Sequence, residues 1–156
     1  MERAFGMQPI AKQERQVIDC NHSFSNNIKS NKSSNLFGLK IIFVFAGLNM
    51  GGAERQGILF ADYLKNRHKA NVEVWGLHTK SGKVSELCNR LGIPWRGIYF
   101  GAPRVRPIFL VSLLKFAFQL KRGHPDIVLP YVALPNIICG ITWRFSGAKI
   151  CVWNQR

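Results

Sequence analysis

From Lys40 onward, short apolar runs alternate with longer amphipathic ones. Residues 40–46 (KIIFVFA) are almost continuously hydrophobic, the pattern of a central parallel strand covered on both faces. Over residues 53–67, Ile58, Leu59, Ala61 and Leu64 recur at helical spacing, and Lys65, Arg67 and Lys69 follow at the end where a helix dipole favours cations. Residues 71–77 (NVEVWGL) predict a second strand, 83–91 a short helix stopped by Gly92, and 93–100 a third strand. Residues 107–122 predict a third helix, with proline in its first turn and Gly123 just past its end. A fourth strand over 126–131, a helix over 135–145 and a fifth strand over 148–154 complete the series.

Strand–helix alternation of this kind demands parallel pairing through crossovers. The expected fold class is therefore α/β: a Rossmann-like, doubly wound, mainly parallel sheet of about five strands. Ligands in such sheets bind outside the carboxyl ends of the strands, near the point where strand order reverses. Three loops deserve scrutiny on that ground: 47–55, 131–136 and 154–156.

Residues 20–35 (CNHSFSNNIKSNKSSN) are mostly Asn, Ser and Lys, with too little apolar surface to offset the entropy of ordering them. Residues 1–39 are accordingly expected to be a disordered tail, and 40–156 the folded domain. Charge supports the same division. The net charge is +14, but residues 1–39 hold five basic against three acidic side chains, while 40–156 hold seventeen against five. The folded part is thus strongly basic, which suits phosphorylated small molecules, anionic lipid or nucleic acid. No aromatic–basic interleaving or known motif supports specific nucleic-acid binding.

Cys20, Cys88, Cys139 and Cys151 show no metal-ligand spacing and read as reduced thiols of a cytosolic protein. The start of the chain lacks a signal-peptide core, and no segment reaches the roughly eighteen apolar residues that cross a bilayer. Arg104, Arg106, Lys115, Lys121 and Arg122 bracket the apolar stretch 108–120, which fits either a core-facing crossover helix or one lying in a membrane interface.

The loop after the first predicted strand reads Gly47-Leu48-Asn49-Met50-Gly51-Gly52-Ala53-Glu54-Arg55. Adjacent glycines at a helix start permit positive φ, leave no Cβ before a ligand and bare the first N–H groups of the helix, an anion-binding arrangement. Gly47 and Gly52 have P-loop spacing, yet Ala53-Glu54 stands where Lys-Ser/Thr would grip phosphate and magnesium. Dinucleotide binding would need G-x-G-x-x-G and an acid after the second strand, where Gly76-Leu77-His78-Thr79 has none. A plain strand-to-helix turn also satisfies these residues. Glu54 either turns back to cap the helix, the simpler expectation, or faces the cleft and accepts hydrogen bonds from sugar hydroxyls.

Gly51-Gly52-Ala53-Glu54-Arg55-Gln56 after a hydrophobic strand resembles the start of the retaining GT-B glycosyltransferases of family four. The resemblance continues through Leu59-Phe60-Ala61-Asp62-Tyr63-Leu64, Val72-Glu73-Val74, His124-Pro125-Asp126-Ile127-Val128, Pro135-Asn136 and Asn154-Gln155-Arg156, and covers about residues 39–156. It implies the N-terminal, acceptor-side half of a GT-B fold, with the C-terminal donor domain outside this sequence. It further implies transfer of a sugar from a nucleoside-diphosphate sugar to a glycan or lipid-linked acceptor in cell-surface polysaccharide, lipopolysaccharide or glycolipid synthesis. Substrate-binding candidates are Gly51, Gly52, Glu54, Arg55, Tyr131, Asn136, Asn154 and Arg156; the catalytic base belongs to no residue that can be named. No cofactor and no metal are expected, the nucleotide sugar being a substrate. The implied setting is the cytoplasm, at the inner face of the membrane, and the chain alone is expected to be an inactive fragment. The alternatives from other classes are a non-catalytic Rossmann-like binding module and the acceptor subunit of a two-chain transferase.

Overall fold

Five strands, β1 (Lys40–Phe45), β2 (Asn71–Gly76), β3 (Trp95–Gly97), β4 (Ile127–Pro130) and β5 (Ile150–Cys151), pair in parallel in the order β3-β2-β1-β4-β5. Helices α1 (Gly52–His68), α2 (Lys83–Leu91), α3 (Arg106–Gly123) and α4 (Ala133–Ser146) connect them. The computed structural model describes residues 36–101 and 106–154. Strand order reverses between β1 and β4, which sets the switch point there.

β1 shows why the sheet is covered twice. Its residues alternate sides, and all five from Ile41 to Phe45 are buried. Ile41, Phe43 and Phe45 pack with Ile58, Ala61 and Leu64 of α1 and Val84 and Cys88 of α2. Ile42 and Val44 pack with Phe116 and Leu120 of α3 and Ile138 and Cys139 of α4. An uninterrupted apolar run is thus the direct consequence of period-two alternation between two covered faces.

The elements match the predicted series, with shortfalls at both sheet edges. β3 pairs over three residues, although apolar character runs from 93 to 100. Pro94 has no N–H to add to a ladder. Beyond Gly97 the chain leaves the strand line to bury Ile98 and Phe100, the latter edge-on to Phe109 and Phe116. β5 pairs over two residues and regains contact as a single bridge between Asn154 and Tyr131. Residues 36–39, assigned to the tail by composition, join the fold. The Gly38 N–H donates to the Lys69 carbonyl at 3.2 Å, the Leu39 carbonyl accepts from the Asn71 N–H at 2.9 Å, and Leu36 packs on the core. The rest of the predicted tail lies outside the described residues.

Two acids hold the sheet at the end where the strands begin. Glu73, buried in β2, accepts from Arg96 Nε at 2.6 Å and lies 3.5 Å from Lys40 Nζ. Asp126 accepts the Lys40 N–H at 2.9 Å and pairs with Lys149 Nζ at 3.0 Å, while its carbonyl accepts from the Lys149 N–H at 2.8 Å. One residue therefore joins the starts of β1, β4 and β5. The Lys40 backbone hydrogen bond, then Lys149, hold the Asp126 carboxyl below its ordinary range.

Cys88, Cys139 and Cys151 are unpaired thiols, and burial pushes Cys88 up to about 11 and Cys139 well above the ordinary thiol range. Cys20 lies outside the described residues. Among the described residues no helix is long and apolar enough to cross a membrane.

A carboxyl acid-shifted in the folded state contributes stability that is present above its unfolded pKa of about 3.9 and is lost as pH falls through the folded value. Asp126→Asn is expected to be less stable than the wild type at pH 7 and to lose less stability on acidification below about pH 4. Urea unfolding at neutral and acid pH checks both, and parallel pH profiles would refute the assigned role.

Candidate functional site

At the carboxyl end of β1 the chain runs through Gly47 and Leu48 to Gly51, the N-cap of α1. Neither glycine of the pair needs positive φ. Gly51 is extended (φ −120°, ψ −178°), Gly52 begins the helix, and positive-φ glycines occur only at 38, 92 and 147 among the described residues. The two differ in their surroundings. A Cβ on Gly52 would meet nothing within 4 Å, and both residues are exposed.

Glu54 turns back toward the helix start, as the simpler expectation has it, but makes no capping hydrogen bond. α1 has no side-chain cap hydrogen bond, yet the Glu54 carboxylate folds back so closely that a Cβ on Gly51 would collide with it. The carboxylate therefore meets the positive pole of α1 through its field and without a capping hydrogen bond. Arg55 is exposed, and its N–H donates the first intrahelical bond to the Gly51 carbonyl at 3.0 Å.

The loop after β2 packs beside this turn. The Leu48 carbonyl accepts from the Val84 N–H at 3.0 Å, and a Cβ on Gly47 would lie 3.7 Å from His78 Cδ2. The exposed imidazole of His78 consequently flanks the glycine turn at the same end of the sheet. Sequence spacing placed it only as a residue after strand two.

Tyr131, Asn136 and Asn154 converge at the carboxyl ends of β4 and β5. Tyr131 is 5% exposed; its ring stacks on Phe43 and lies tilted against Phe45, with centroids 6.0 and 5.1 Å apart, so it belongs to the core as well as to the site. Asn136, 3% exposed in the first turn of α4, donates from Nδ2 to the Asn154 carbonyl at 3.2 Å. Its buried Oδ1 has no partner. The same Asn154 carbonyl accepts the Val132 N–H at 3.2 Å, and the Asn154 N–H donates to the Pro130 carbonyl at 3.2 Å. Val132, the N-cap of α4, has φ 64° and ψ 175°, a conformation that strains a β-branched residue by about 1–3 kcal/mol.

A cavity of about 400 Å³ opens beside this cluster, lined by Gln56, Phe60, Leu129, Tyr131, Trp153 and Asn154 among others. Gln56 and Phe60 come from one face of α1 at i, i+4 spacing. They were legible as helical residues, but the alternation along the chain gave no sign that β5 would stay short enough to leave them uncovered. Gly51, Gly52, Glu54, Arg55 and Asn136 do not line the cavity. The predicted candidates thus form two neighbouring groups, the open start of α1 and the Tyr131–Asn136–Asn154 cluster. Arg156 lies outside the described residues. Among those residues no group of three or more His, Cys, Asp or Glu could hold a metal ion.

Two solved structures share this architecture. A glycosyltransferase from Rickettsia africae ESF-5 matches with a TM-score of 0.59 at 19% identity, over 74% of this chain and 29% of its own. MurG of Acinetobacter baumannii matches with a TM-score of 0.56 at 17% identity, over 75% of this chain and 35% of its own. The fold is that of one half of a GT-B protein. The chain spans about a third of the length of either neighbour. No family model and no curated protein matches it.

Gly57 joins the two groups. A Cβ there would lie 2.6 Å from Phe45 Cζ and 3.2 Å from Tyr131 Cε1, so its absence lets α1 settle onto the ring stack. Gly57→Ala adds helix propensity of about 0.5–1 kcal/mol, but overpacking against the buried Phe45 and Tyr131 rings costs about 1–3 kcal/mol. The clash wins. A net destabilisation of about 1–2 kcal/mol by urea unfolding is expected, whereas Gly52→Ala, with open space around it, is expected to leave stability unchanged or slightly raised.

Proposed function

We propose that this chain is the N-terminal, acceptor-side half of a retaining GT-B glycosyltransferase of family four, acting in the cytoplasm on a glycan or lipid-linked acceptor. The observation that carries the reading is the convergence of an open helix start and a polar-rimmed cavity at one end of a sheet whose fold is shared with a glycosyltransferase and MurG. Family resemblance through Gly51-Gly52-Ala53-Glu54-Arg55 supports the same assignment at the level of residues.

In this reading the cavity takes acceptor hydroxyls. The side-chain amides of Gln56 and Asn154 supply donors and acceptors, while Phe60 and Trp153 give flat apolar walls of the sort that sugar rings pack on. The bare N–H groups at the start of α1 approach the diphosphate of the donor, and their fixed dipoles stabilise the charge that grows on it as the glycosyl group leaves. Arg55 and Arg156 serve anionic groups of either substrate. The nucleotide itself is held by a second α/β domain or a separate subunit, so this chain contributes binding and orientation to a cleft completed elsewhere.

The Glu54 carboxylate sets the test, because it stands where an anion would have to come. Amide chemical shifts of the chain, titrated with UDP, GDP or pyrophosphate, are expected to move at residues 51–55. Glu54→Gln removes one negative charge from the helix pole and is expected to tighten binding about 2–5-fold, the range for about 0.3–1 kcal/mol. Gly52→Val, which fills the open space without a clash in the free chain, is expected to abolish those shifts while leaving the melting temperature near that of the wild type. Silence at 51–55 with all three ligands would sink the donor-side role. Shifts confined to the cavity would then indicate a non-catalytic binding module.

A further inference from the structure

Seventeen of the twenty-two Lys and Arg side chains fall within residues 40–156, yet none of them lines the cavity at the carboxyl ends of β4 and β5. No acid lines it either. Leu129 and Val152 supply aliphatic surface, Phe60, Tyr131 and Trp153 supply rings, and Gln56 and Asn154 supply carboxamides. A lining without charge in so basic a domain bears directly on what the cavity admits.

Its polar capacity is narrow. The Asn154 backbone is already committed, since its N–H donates to the Pro130 carbonyl and its carbonyl accepts from the Val132 N–H and from Asn136 Nδ2. The side-chain amides of Gln56 and Asn154 remain, and neither has a hydrogen-bonding partner among the described residues. A carboxamide offers one acceptor oxygen and two N–H donors. Such groups answer hydroxyls, which both give and take hydrogen bonds, but they supply no counter-charge.

An anion entering this space would exchange its hydration for apolar walls and amide dipoles, a burial of charge without compensation. Opposing that cost is the positive field of the domain, which attracts anions from a distance. At 0.15 M ionic strength the field is largely screened beyond about 8 Å. Arg55 precedes Gln56 in sequence, but successive helical residues do not share a face, and Arg55 stays exposed and outside the cavity. Lys149 is paired with Asp126 at the opposite ends of the strands. The local cost therefore outweighs the distant attraction. We infer that the cavity admits an uncharged sugar unit and excludes uronic acids and sugar phosphates, so that anionic groups of a substrate stay outside it. The inference rests on the reading of the cavity as an acceptor site and adds the class of sugar that it takes.

Side-chain amide resonances of Gln56 and Asn154 in the full chain, followed at pH 7 and about 0.15 M salt, test it. Methyl glucoside and the methyl glycoside of N-acetylglucosamine are expected to shift them, and methyl glucuronide to bind about tenfold more weakly or worse. The amide of that glucuronide keeps its size and removes its charge, and is expected to bind as methyl glucoside does. Gln56→Lys puts a cation on an exposed part of the wall and is expected to invert the order, with the glucuronide then binding more tightly than the glucoside. Equal binding of glucuronide and glucoside to the wild-type chain overturns the inference and leaves the acceptor reading in place. Weak binding of the glucuronamide alongside the glucuronide also overturns it, since size and not charge then selects. Silence of both amides with every sugar overturns the inference together with the acceptor reading of the cavity, and shifts at 51–55 with pyrophosphate judge the donor side independently.

Discussion

Parallel pairing of β1 with both β2 and β4 is the constraint from which the rest of the structure follows. A strand bonded on both edges and buried on both faces must be apolar throughout, and Ile41 to Phe45 satisfy that. The same pairing obliges every connection to cross back over the sheet, which brings all strand ends of one polarity together. The glycine turn, the His78 loop and the Tyr131–Asn154 bridge share one end of the molecule for this reason, although more than a hundred residues separate the first from the last.

Much of the fold was readable because its signals are local. Hydrophobic period, a terminal Gly92 or Gly123, and proline near a helix start each act within a few residues, and the elements they predicted are all present. The sheet edges were less readable because strand length there depends on partners. Residues 98–100 and 152–153 have strand-like composition, but packing of Phe100 into the core competes at one edge and the single Asn154 bridge at the other. Tail composition similarly obscured residues 36–39, which enter the fold through backbone bonds to Lys69 and Asn71 that no local pattern announces.

The candidate site divides along the same line. A doubled glycine before an amphipathic helix is a local signal, and it marked the start of α1. That Gly52 stands in open space and without positive φ is tertiary information, as is the return of Glu54 toward Gly51 without a capping bond. Gly57, Gln56 and Phe60 sit one or two turns further along and carry no pattern of their own. Their roles depend on what β4 and β5 place opposite them.

Val132 adds a mechanical point. Its strained backbone persists because its N–H is tied to Asn154 and its carbonyl accepts the Asn136 N–H at 3.1 Å, so the peptide units on both sides of the residue are held. A conformation held against its own preference by several bonds does not drift with small loads; it stays until those bonds break together. Tyr131 and Asn154, which line the cavity, are thereby anchored beside a fixed turn, and adjustment to differently shaped ligands falls to the exposed side chains of Gln56 and Trp153.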